Sequence, residues 1–160
     1  IMNKLNNPFV EKEGYCCFGC QPKNPIGLKL DFYEDGDDIY SEWQPDALYC
    51  GYNDILHGGI QATLCDEVAS WVVYVKCGCA GVTSRLNMKY RHSVDARLGK
   101  VKIRGKIVEN RRNQFVVVKV NLFDGSDVLC AEAEAIFRLF TKEVSVEHYG
   151  YPEDRQMFYK

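Results

Sequence analysis

The sequence lacks any long hydrophobic run. Nowhere in the chain do roughly 18 consecutive apolar residues occur, the length that a membrane-spanning helix needs. The first residues also lack the short apolar segment of a secretory signal. An excess of one charge is missing as well, because the net charge is only −2, which gives no overall attraction to nucleic acid or to an anionic membrane. These absences favour a globular protein of the cytoplasm that binds neither nucleic acid nor membrane.

The composition is that of one ordinary folded domain. Apolar residues make up 46% of the 160-residue chain and charged residues 26%, as in typical globular proteins. A chain of this length can bury a sizeable core. We divide it into a leader segment at residues 1–25, a central domain at residues 26–141 and a C-terminal tail at residues 142–160. The tail pattern predicts at most a short helix.

Eight cysteines are present, but their setting does not favour disulfides. Cys65 and Cys130 lie in apolar periodic segments, where a free thiol behaves as a small hydrophobic side chain. Cytoplasmic chains of this size do not depend on a disulfide framework. We therefore expect reduced thiols.

The segment CCFGC at residues 16–20 contains a Cys-x-x-Cys pair. Tetrahedral zinc takes four ligands, and the other close pair, Cys77 and Cys79, has the wrong spacing for a zinc knuckle. A redox motif would open a helix after a strand, and this segment has no such pattern. We interpret the segment as structural and predict no metal site and no cofactor, with metal binding by this segment as the alternative.

Apolar alternation and turn residues predict the secondary structure. One long apolar helix is predicted at residues 58–76, ended by Gly78. The other elements are strands, at residues 27–33 and 38–44 before the helix and at residues 82–94, 100–112, 113–124 and 128–141 after it. The expected order is two strands, the helix and a four-stranded antiparallel meander.

The predicted helix is apolar on nearly all sides and must be covered on most of them. An antiparallel sheet of about six strands curled around one long central helix, the hotdog fold, meets this condition. The predicted class is α+β. Other α+β folds with a single crossover helix fit the same pattern and remain alternatives.

The start of this helix combines two glycines with an acid further along. In LHGGIQATLCDEVASW, residues 56–71, the glycines are Gly58 and Gly59 and the acid is Asp66. A helix N-terminus offers unpaired amide hydrogens, and glycine lets a substrate carbonyl approach the backbone. Such donors stabilise an oxyanion by roughly 3–4 kcal/mol each, and an ionised carboxylate can act as a general base.

The same stretch resembles a known family. GYNDILHGGIQATLCDE followed by TSRLNMKYRHSV, with the upstream CFGCQPKNPIGLKL, is similar to the PaaI-like and Them4-like acyl-CoA thioesterases of the hotdog superfamily, over roughly residues 16–141. The resemblance implies that Asp66 is the catalytic carboxylate, as general base or nucleophile. It also implies that Gly58 and Gly59 form the oxyanion site, that His57 shapes the same pocket and that Thr83 assists the reaction.

One departure from the family concerns the attacking water. Some members have an asparagine six residues before the histidine, and its side chain holds the attacking water molecule. In this chain, Gly51 occupies that position. Asn53 lies nearby but out of register. We keep Asn53 as a candidate for substrate binding, and the role of holding water stays unassigned.

Helix geometry separates the two halves of such a site. Gly58 and Asp66 are eight residues apart in the sequence, which is about 12 Å along a helix axis. One thioester carbon cannot contact both, so Asp66 must come from a second chain whose helix runs antiparallel. This predicts a homodimer with two shared sites, in agreement with the sites between protomers that the resemblance implies. A dimer of dimers is left open.

Basic residues are concentrated after the helix. Arg91 and His92 follow the strand that carries Thr83, and Arg111 and Arg112 lie at a predicted turn. These four are candidates for binding the phosphates of coenzyme A. The alternative for them, and for the lysine and arginine row of KVKIRGK at residues 100–106, is an ordinary solvated face.

Plainer interpretations exist for the helix residues too. A mid-helix pair such as Asp66 and Glu67 is often a solvated face, and Glu67, some 100° around the helix from Asp66, is interpreted as structural. Cys65 could act as a nucleophile, but it has no histidine partner close in sequence, and packing is the simpler role.

The sequence therefore predicts hydrolysis of an acyl-CoA to a carboxylic acid and free CoA. A non-catalytic module that binds acyl-CoA or an acyl-carrier protein is one alternative, and the missing asparagine fits it. A hotdog hydratase or dehydratase is the other, but it needs a different arrangement of histidine and acid, which the sequence does not contain.

Overall fold

The computed structural model describes residues 2–160. Its two α-helices are α1 (Gly58–Val72) and α2 (Lys142–Tyr149). The strands are β1 (Asn3–Lys4), β2 (Tyr33–Asp35), β3 (Asp38–Trp43), β4 (Cys50–Tyr52), β5 (Ile55–Leu56), β6 (Gly81–Tyr90), β7 (Val101–Arg111), β8 (Phe115–Phe123) and β9 (Leu129–Leu139).

Seven strands form one antiparallel sheet in the order β1-β2-β3-β7-β8-β9-β6. The remaining two, β4 and β5, pair as a small separate hairpin. Helix α1 packs against β3, β7, β8, β9 and β6, so the sheet wraps around one central helix. This is the hotdog fold, as predicted, with seven strands in the sheet rather than about six.

The main core lies between α1 and the concave face of the sheet. Fully buried aliphatic side chains of the helix, such as Leu64 and Val68, face Val118 and Val120 of β8. The side chains on this face of the sheet are short, because β9 carries alanines and β7 carries Gly105. A Cβ atom at Gly105 would lie 3.2 Å from side-chain carbons of Val68 and Val120. The small residues therefore let the helix sit close to the sheet.

The long helix is confirmed. It is α-helical from Gly58 to Val72 and continues through Val73–Cys77 as a wider π-helical turn. It ends at Gly78, whose φ of 68° lies in the left-handed region that glycine adopts without strain.

The predicted four-stranded meander is wrong in one respect. Strands β7, β8 and β9 follow one another in the sheet, but β6 pairs with β9 instead of β7. Strand β7 pairs on its other side with β3. A period-two pattern fixes which side of a strand is buried but does not identify its neighbour, so the sequence did not reveal this crossover. As a result, β6 lies at an edge of the sheet.

The strand predicted at residues 27–33 is also mostly wrong. Leu28, Leu30 and Phe32 are buried, as their alternation predicts, but regular pairing is limited to Tyr33–Asp35. The amides of Leu28 and Leu30 donate instead to Phe18 O and Gly19 O of the leader segment, at 2.8 and 3.0 Å. The region at residues 45–55, for which the sequence predicted no regular element, contains the short strand β4 and the start of β5.

The leader segment and the tail pack on the same core. Leu5 and Phe9 from the leader, and Tyr151 and Phe158 from the tail, are buried in the main hydrophobic cluster. The predicted short helix of the tail is α2, which Thr141 caps by accepting from Val144 N–H. Both ends of the chain therefore cover the far side of α1, around Trp71, whose indole ring contacts Phe158 with centroids 5.6 Å apart.

All eight cysteines are free thiols. Within residues 2–160, no helix has the length and apolar character needed to cross a membrane.

Candidate active site

The N-terminus of α1 is capped by a histidine side chain. His57 Nδ1 accepts a 2.9 Å hydrogen bond from Gly59 N–H. The neighbouring amide of Gly58 donates to no acceptor within residues 2–160. Gly51 packs against the His57 ring, because a Cβ atom at Gly51 would lie 3.4 Å from Cδ2 of the ring. Of the two glycine amides predicted to bind an oxyanion, Gly58 is thus the one that is free.

A tyrosine on the edge strand fixes this end of the helix. The Tyr90 hydroxyl donates a 2.6 Å hydrogen bond to Gly58 O. Tyr90 is exposed at the end of β6. The sequence prediction did not include Tyr90, since nothing in the pattern of β6 indicates which helix residue its hydroxyl meets.

Asp66 and Thr83, predicted to belong to one site, are in contact. The Thr83 hydroxyl donates to Asp66 Oδ1 at 2.7 Å. Asp66 is partly buried on α1. Desolvation raises the pKa of Asp66 above its usual value, and the hydrogen bond from Thr83 acts in the opposite direction. The carboxylate is therefore held in a partly apolar setting with one hydroxyl donor.

A β-bulge in the edge strand brings Thr83 to this position. Thr83 pairs with Phe137 and Arg85 pairs with Ile136, so Ser84 is an extra residue on β6. Beyond the bulge, Tyr90 pairs with Ala131. The β9 partners of Thr83 and Tyr90 are both buried against the helix, so the two side chains face the helix although their numbers differ in parity. Bulges redirect side chains in this way and are frequent next to functional sites.

Within one chain, the two halves of the predicted site stay apart. Eight residues of α1 separate Gly58 from Asp66, about 12 Å along the helix axis. Each half is tied to β6, with Asp66 held by Thr83 and Gly58 held by Tyr90. The other edge of β6 has no strand partner within residues 2–160. Both halves therefore lie beside an open edge of the sheet.

The four basic candidates fall into two pairs. Arg91 and His92 line a cleft of about 260 Å³ with Tyr90, beside the start of α1. Arg111 is the last residue of β7 and Arg112 follows it in the β7–β8 turn, at the end of the sheet where β6 begins. The structure therefore brings Arg91 close to the N-terminus of α1 and does not bring Arg111 there.

Two of these arginines already have acidic neighbours. Arg91 Nε donates to Glu132 at 2.6 Å, and Arg111 Nε donates to Glu109 at 2.9 Å. Both arginine side chains remain largely exposed. Exposed ion pairs of this kind contribute little and can exchange partners.

Asn53, the remaining binding candidate, lies at the exposed tip of the hairpin between β4 and β5. It makes no hydrogen bond with other residues of the 2–160 range. The structure places it on the same side as His57, since β5 leads directly into α1.

The basic row of β7 lies on the outer face of the sheet, away from α1. Arg104 contacts Asp35 and Asp38 at 2.9 and 3.1 Å, and Lys102 pairs with Asp127. These contacts match the plain alternative, an ordinary solvated face.

Two further candidates from the sequence are Cys65 and the Cys-x-x-Cys pair of the leader segment. Cys65 is fully buried, and desolvation raises its pKa to about 12, which agrees with a packing role. The side chains of Cys17 and Cys20 meet Glu67 between the leader segment and α1. This second group combines donor types that can hold a metal ion. Desolvation raises the pKa of Glu67 to about 8.

The geometry places a carboxylate, a hydroxyl and a free helix amide on a hotdog scaffold, and sequence comparison agrees with it. Residues 53–131 match the model of the thioesterase superfamily. Over this segment, which is just under half of the chain, the protein resembles the thioesterase superfamily. The matched segment contains all five residues predicted to be catalytic, His57, Gly58, Gly59, Asp66 and Thr83. No curated protein matches the chain.

Solved structures of thioesterase superfamily proteins share the fold of this chain. One thioesterase superfamily protein aligns with a TM-score of 0.67 at 20% identity, over 76% of this chain and 59% of its own length. A thioesterase from Haemophilus influenzae aligns with a TM-score of 0.65 at 21% identity, over 76% of this chain and 83% of its own. A protein from Streptococcus mutans bound to acetyl-CoA aligns with a TM-score of 0.62 at 23% identity, over 71% and 90%. At these identities, the comparison establishes the common fold.

Proposed function

We propose that this protein hydrolyses acyl-CoA thioesters at two sites, each shared between the protomers of a homodimer. The observation that supports this most is the pair of contacts along β6. Thr83 binds the Asp66 carboxylate near the start of the strand, and Tyr90 holds Gly58 at its end. A base and an oxyanion donor are therefore anchored to one exposed edge strand, too far apart to act within one chain.

Antiparallel pairing of two β6 edges would unite the two halves. A two-fold axis reverses the partner strand, so that the Thr83 end of one copy lies beside the Tyr90 end of the other. Directly opposed residues of an antiparallel pair lie on the same side of the sheet. With the bulge at Ser84 counted as one extra residue, Thr83 stands opposite the partner subunit's Tyr90 when the axis passes through Asn87.

This register has an electrostatic cost on the outer face. It places Arg85 opposite the partner subunit's Lys89, and opposed like charges weaken strand pairing. Glu132 and Glu134 of β9 lie next to Lys89 and Asn87 in the sheet and offset the repulsion. The apolar inner positions Leu86 and Met88 would be opposed to each other across the axis.

The chemistry follows from the two groups brought together. As a general base, Asp66 takes a proton from water while the water oxygen attacks the thioester carbon. The carbonyl oxygen becomes an oxyanion and accepts a hydrogen bond from the partner subunit's Gly58 N–H. The C–S bond then breaks, the acid is released, and the CoA thiolate takes a proton. As a nucleophile, Asp66 would attack the carbon directly and water would hydrolyse the resulting anhydride.

We assign to His57 the role of orienting the N-terminal turn of α1. Its ring already accepts from Gly59 N–H, so the Gly59 amide is not available to the oxyanion in this arrangement. Gly58 is then the principal donor, and glycine at this position leaves the substrate carbonyl room to approach.

Coenzyme A is the carrier that the basic residues favour. In the proposed dimer, Arg91 and His92 of one protomer lie at the same end of the joined sheet as Arg111 and Arg112 of the other. Guanidinium groups bind phosphates through paired hydrogen bonds. The fold relative from Streptococcus mutans is bound to acetyl-CoA, which supports a CoA ligand for this protein too.

A non-catalytic acyl-CoA binding module is the second candidate. It is favoured by Gly51, which offers no side-chain amide near His57 to hold a water molecule. The fold and the basic residues would serve binding equally well, so an assay of bond cleavage must decide.

The deciding experiment follows thiol release from a panel of acyl-CoAs with a thiol-detecting reagent. We expect the wild type to release CoA and Asp66→Asn to lose nearly all of this activity while it still binds substrate. Binding without release by both proteins would establish the module instead. Hydration of an unsaturated acyl-CoA would indicate the hydratase chemistry that the sequence argues against.

A single turnover in ¹⁸O-labelled water tests for a nucleophilic Asp66. A general base puts the label only in the released acid. A nucleophile gains the label in its own carboxylate when water opens the anhydride at the Asp66 carbon, so label in Asp66 would establish covalent catalysis.

A further inference from the structure

We propose that Cys17, Cys20 and Glu67 form a zinc-binding site between the leader segment and helix α1. The two cysteines lie in a tight turn, in which Gln21 N–H donates to Cys17 O at 3.1 Å. Cys20 is buried and Cys17 is partly buried. Glu67 reaches them from α1 and does not take part in the proposed hydrolysis.

The donor atoms are close enough to share one cation. The Sγ atoms of Cys17 and Cys20 are 3.3 Å apart, and Cys17 Sγ is 3.4 Å from Glu67 Oε1. One ligand atom from each of the three residues lies within 4.8 Å of the others. Around tetrahedral zinc, with Zn–S bonds of about 2.3 Å and Zn–O bonds of about 2.1 Å, ligand atoms are separated by roughly 3.6–3.8 Å. The two Cys17 separations are within a few tenths of an ångström of these values, and the separation of Cys20 from Glu67 is at most 4.8 Å.

The turn is built against the carboxylate. Gly19 is buried between the two cysteines, and a Cβ atom there would lie 2.4 Å from Glu67 Cδ and 2.5 Å from Oε2. Glycine at this position lets the turn pack directly on the Glu67 side chain. The leader segment therefore fits closely against this carboxylate.

The carboxylate has no basic partner. Among residues 2–160, no lysine, arginine or histidine pairs with Glu67, although a carboxylate withdrawn from water is costly without a counter-charge. A bound divalent cation supplies that charge to the carboxylate and to both thiolates at once.

The donor set selects the kind of metal. Thiolates favour zinc and other borderline or soft ions, whereas magnesium and calcium take oxygen ligands. Three protein donors leave one tetrahedral position for a water molecule. The Tyr15 hydroxyl lies 2.8 Å from Cys20 Sγ and is, besides Cys17, a polar neighbour of that thiol. The sequence prediction of no metal site considered cysteines alone. It missed Glu67, which lies 50 residues from Cys17.

The role of this site is to fasten the leader segment to α1, one residue away from Asp66. The metal site is independent of thioester hydrolysis, because none of its donors lies on β6 or at the N-terminus of α1. Its loss is therefore expected to lower stability first.

The test measures metal binding by the full chain. Purified under reducing conditions without chelator, the protein is expected to contain about one zinc ion per chain. After chelation, Co²⁺ should restore thiolate-to-cobalt charge-transfer absorption and the visible bands of a tetrahedral site. Cys17→Ser and Cys20→Ser should lose the charge-transfer band, and Glu67→Gln should weaken binding by at least a factor of about 10.

Cys16→Ser is the matched control, since Cys16 is exposed beside the turn and its replacement should leave the cobalt spectrum unchanged. Chelation should also lower the Tm of the wild type but not that of Cys17→Ser. The proposal is overturned if the reduced wild type binds neither zinc nor cobalt. It is also overturned if the Cys17→Ser/Cys20→Ser protein binds cobalt equally well, or if the two cysteines form a disulfide in the presence of zinc.

Discussion

The Thr83 hydroxyl donates a 2.7 Å hydrogen bond to Oδ1 of Asp66, across the contact between strand β6 and helix α1. This bond orients a carboxylate that burial would otherwise leave with few partners. It depends on the bulge at Ser84, which turns Thr83 toward the helix. The two residues therefore act as one unit.

The first prediction concerns that hydroxyl. We expect Thr83→Val to lower kcat about 10- to 150-fold, because a hydrogen bond to a charged group is worth roughly 1.5–3 kcal/mol, with KM for acyl-CoA little changed. Thr83→Ser keeps the hydroxyl and should restore most of the rate. Ser84→Ala, at the exposed extra residue of the bulge, is the control. Equal losses in the valine and serine variants would contradict the assignment.

The second prediction removes a single amide. Gly58 is the first residue of α1, and His57 before it has φ −60° and ψ 134°, a conformation that a following proline accepts. Gly58→Pro should therefore fold normally and lose about 10²- to 10³-fold in kcat, the effect of one oxyanion donor.

Gly58→Ala is the matched variant for this test. Its Cβ atom would lie 3.5 Å from the Tyr90 ring, an ordinary contact, and its amide is retained. We expect it to keep far more activity than Gly58→Pro in the same CoA-release assay. Similar rates for the two variants would exclude the Gly58 amide as the oxyanion donor.

The third prediction tests the dimer register. If the two-fold axis passes through Asn87, the Cβ atoms of the two copies of residue 87 lie about 5 Å apart, close enough for a disulfide after small shifts. Asn87→Cys should cross-link into dimers on mild oxidation, detected on a non-reducing gel. Lys89→Cys, two residues along the same outer face, should not cross-link. The reverse result would place the axis elsewhere.

The fourth prediction tests the sharing of sites. Mixing Asp66→Asn and Gly58→Pro chains under conditions that exchange subunits should recover about a quarter of the wild-type rate, because half of the dimers would then contain one intact site of two. Each variant alone should stay inactive. A mixture that stays as inactive as its components would show that each site uses one chain.

The fifth prediction concerns the contact of the leader segment with α1. Gly19→Ala should reduce the free energy of unfolding by about 1–3 kcal/mol, the usual cost of overpacking, because its methyl group would overlap the Glu67 side chain. Urea denaturation measures this change through the midpoint at constant slope. Gly51→Ala, with its nearest contact at 3.4 Å, should change stability little.

Much of the scaffold could be predicted because its signals are local. The helix shows an apolar surface, an N-terminal Gly-Gly and a C-terminal glycine, and Gly78 indeed ends it with a φ of 68°. The alternation of Leu28, Leu30 and Phe32 also gave the correct burial. It gave the wrong structure, since Lys29 adopts a φ of 57° and the segment bonds to the leader instead of a neighbouring strand.

The contacts of the candidate site were only partly predictable. Family resemblance pointed to Asp66 and Thr83, and their hydrogen bond agrees with a common site. The bond from Tyr90 to Gly58 joins residues 32 positions apart, and no local pattern encodes it. The same is true for Glu67, whose neighbours in the structure come from a turn that precedes it by about 50 residues.

The open edge of β6 also affects the newly made chain. Without the proposed second copy, alternate residues of this ten-residue strand present unpaired backbone groups, and such edges can recruit further chains into fibrils. Arg85 and Lys89 point outward along this edge and act as gatekeepers, because a growing stack would accumulate their charge with every added strand. The side chains that make the pairing less favourable would thus also limit aggregation while the protein leaves the ribosome.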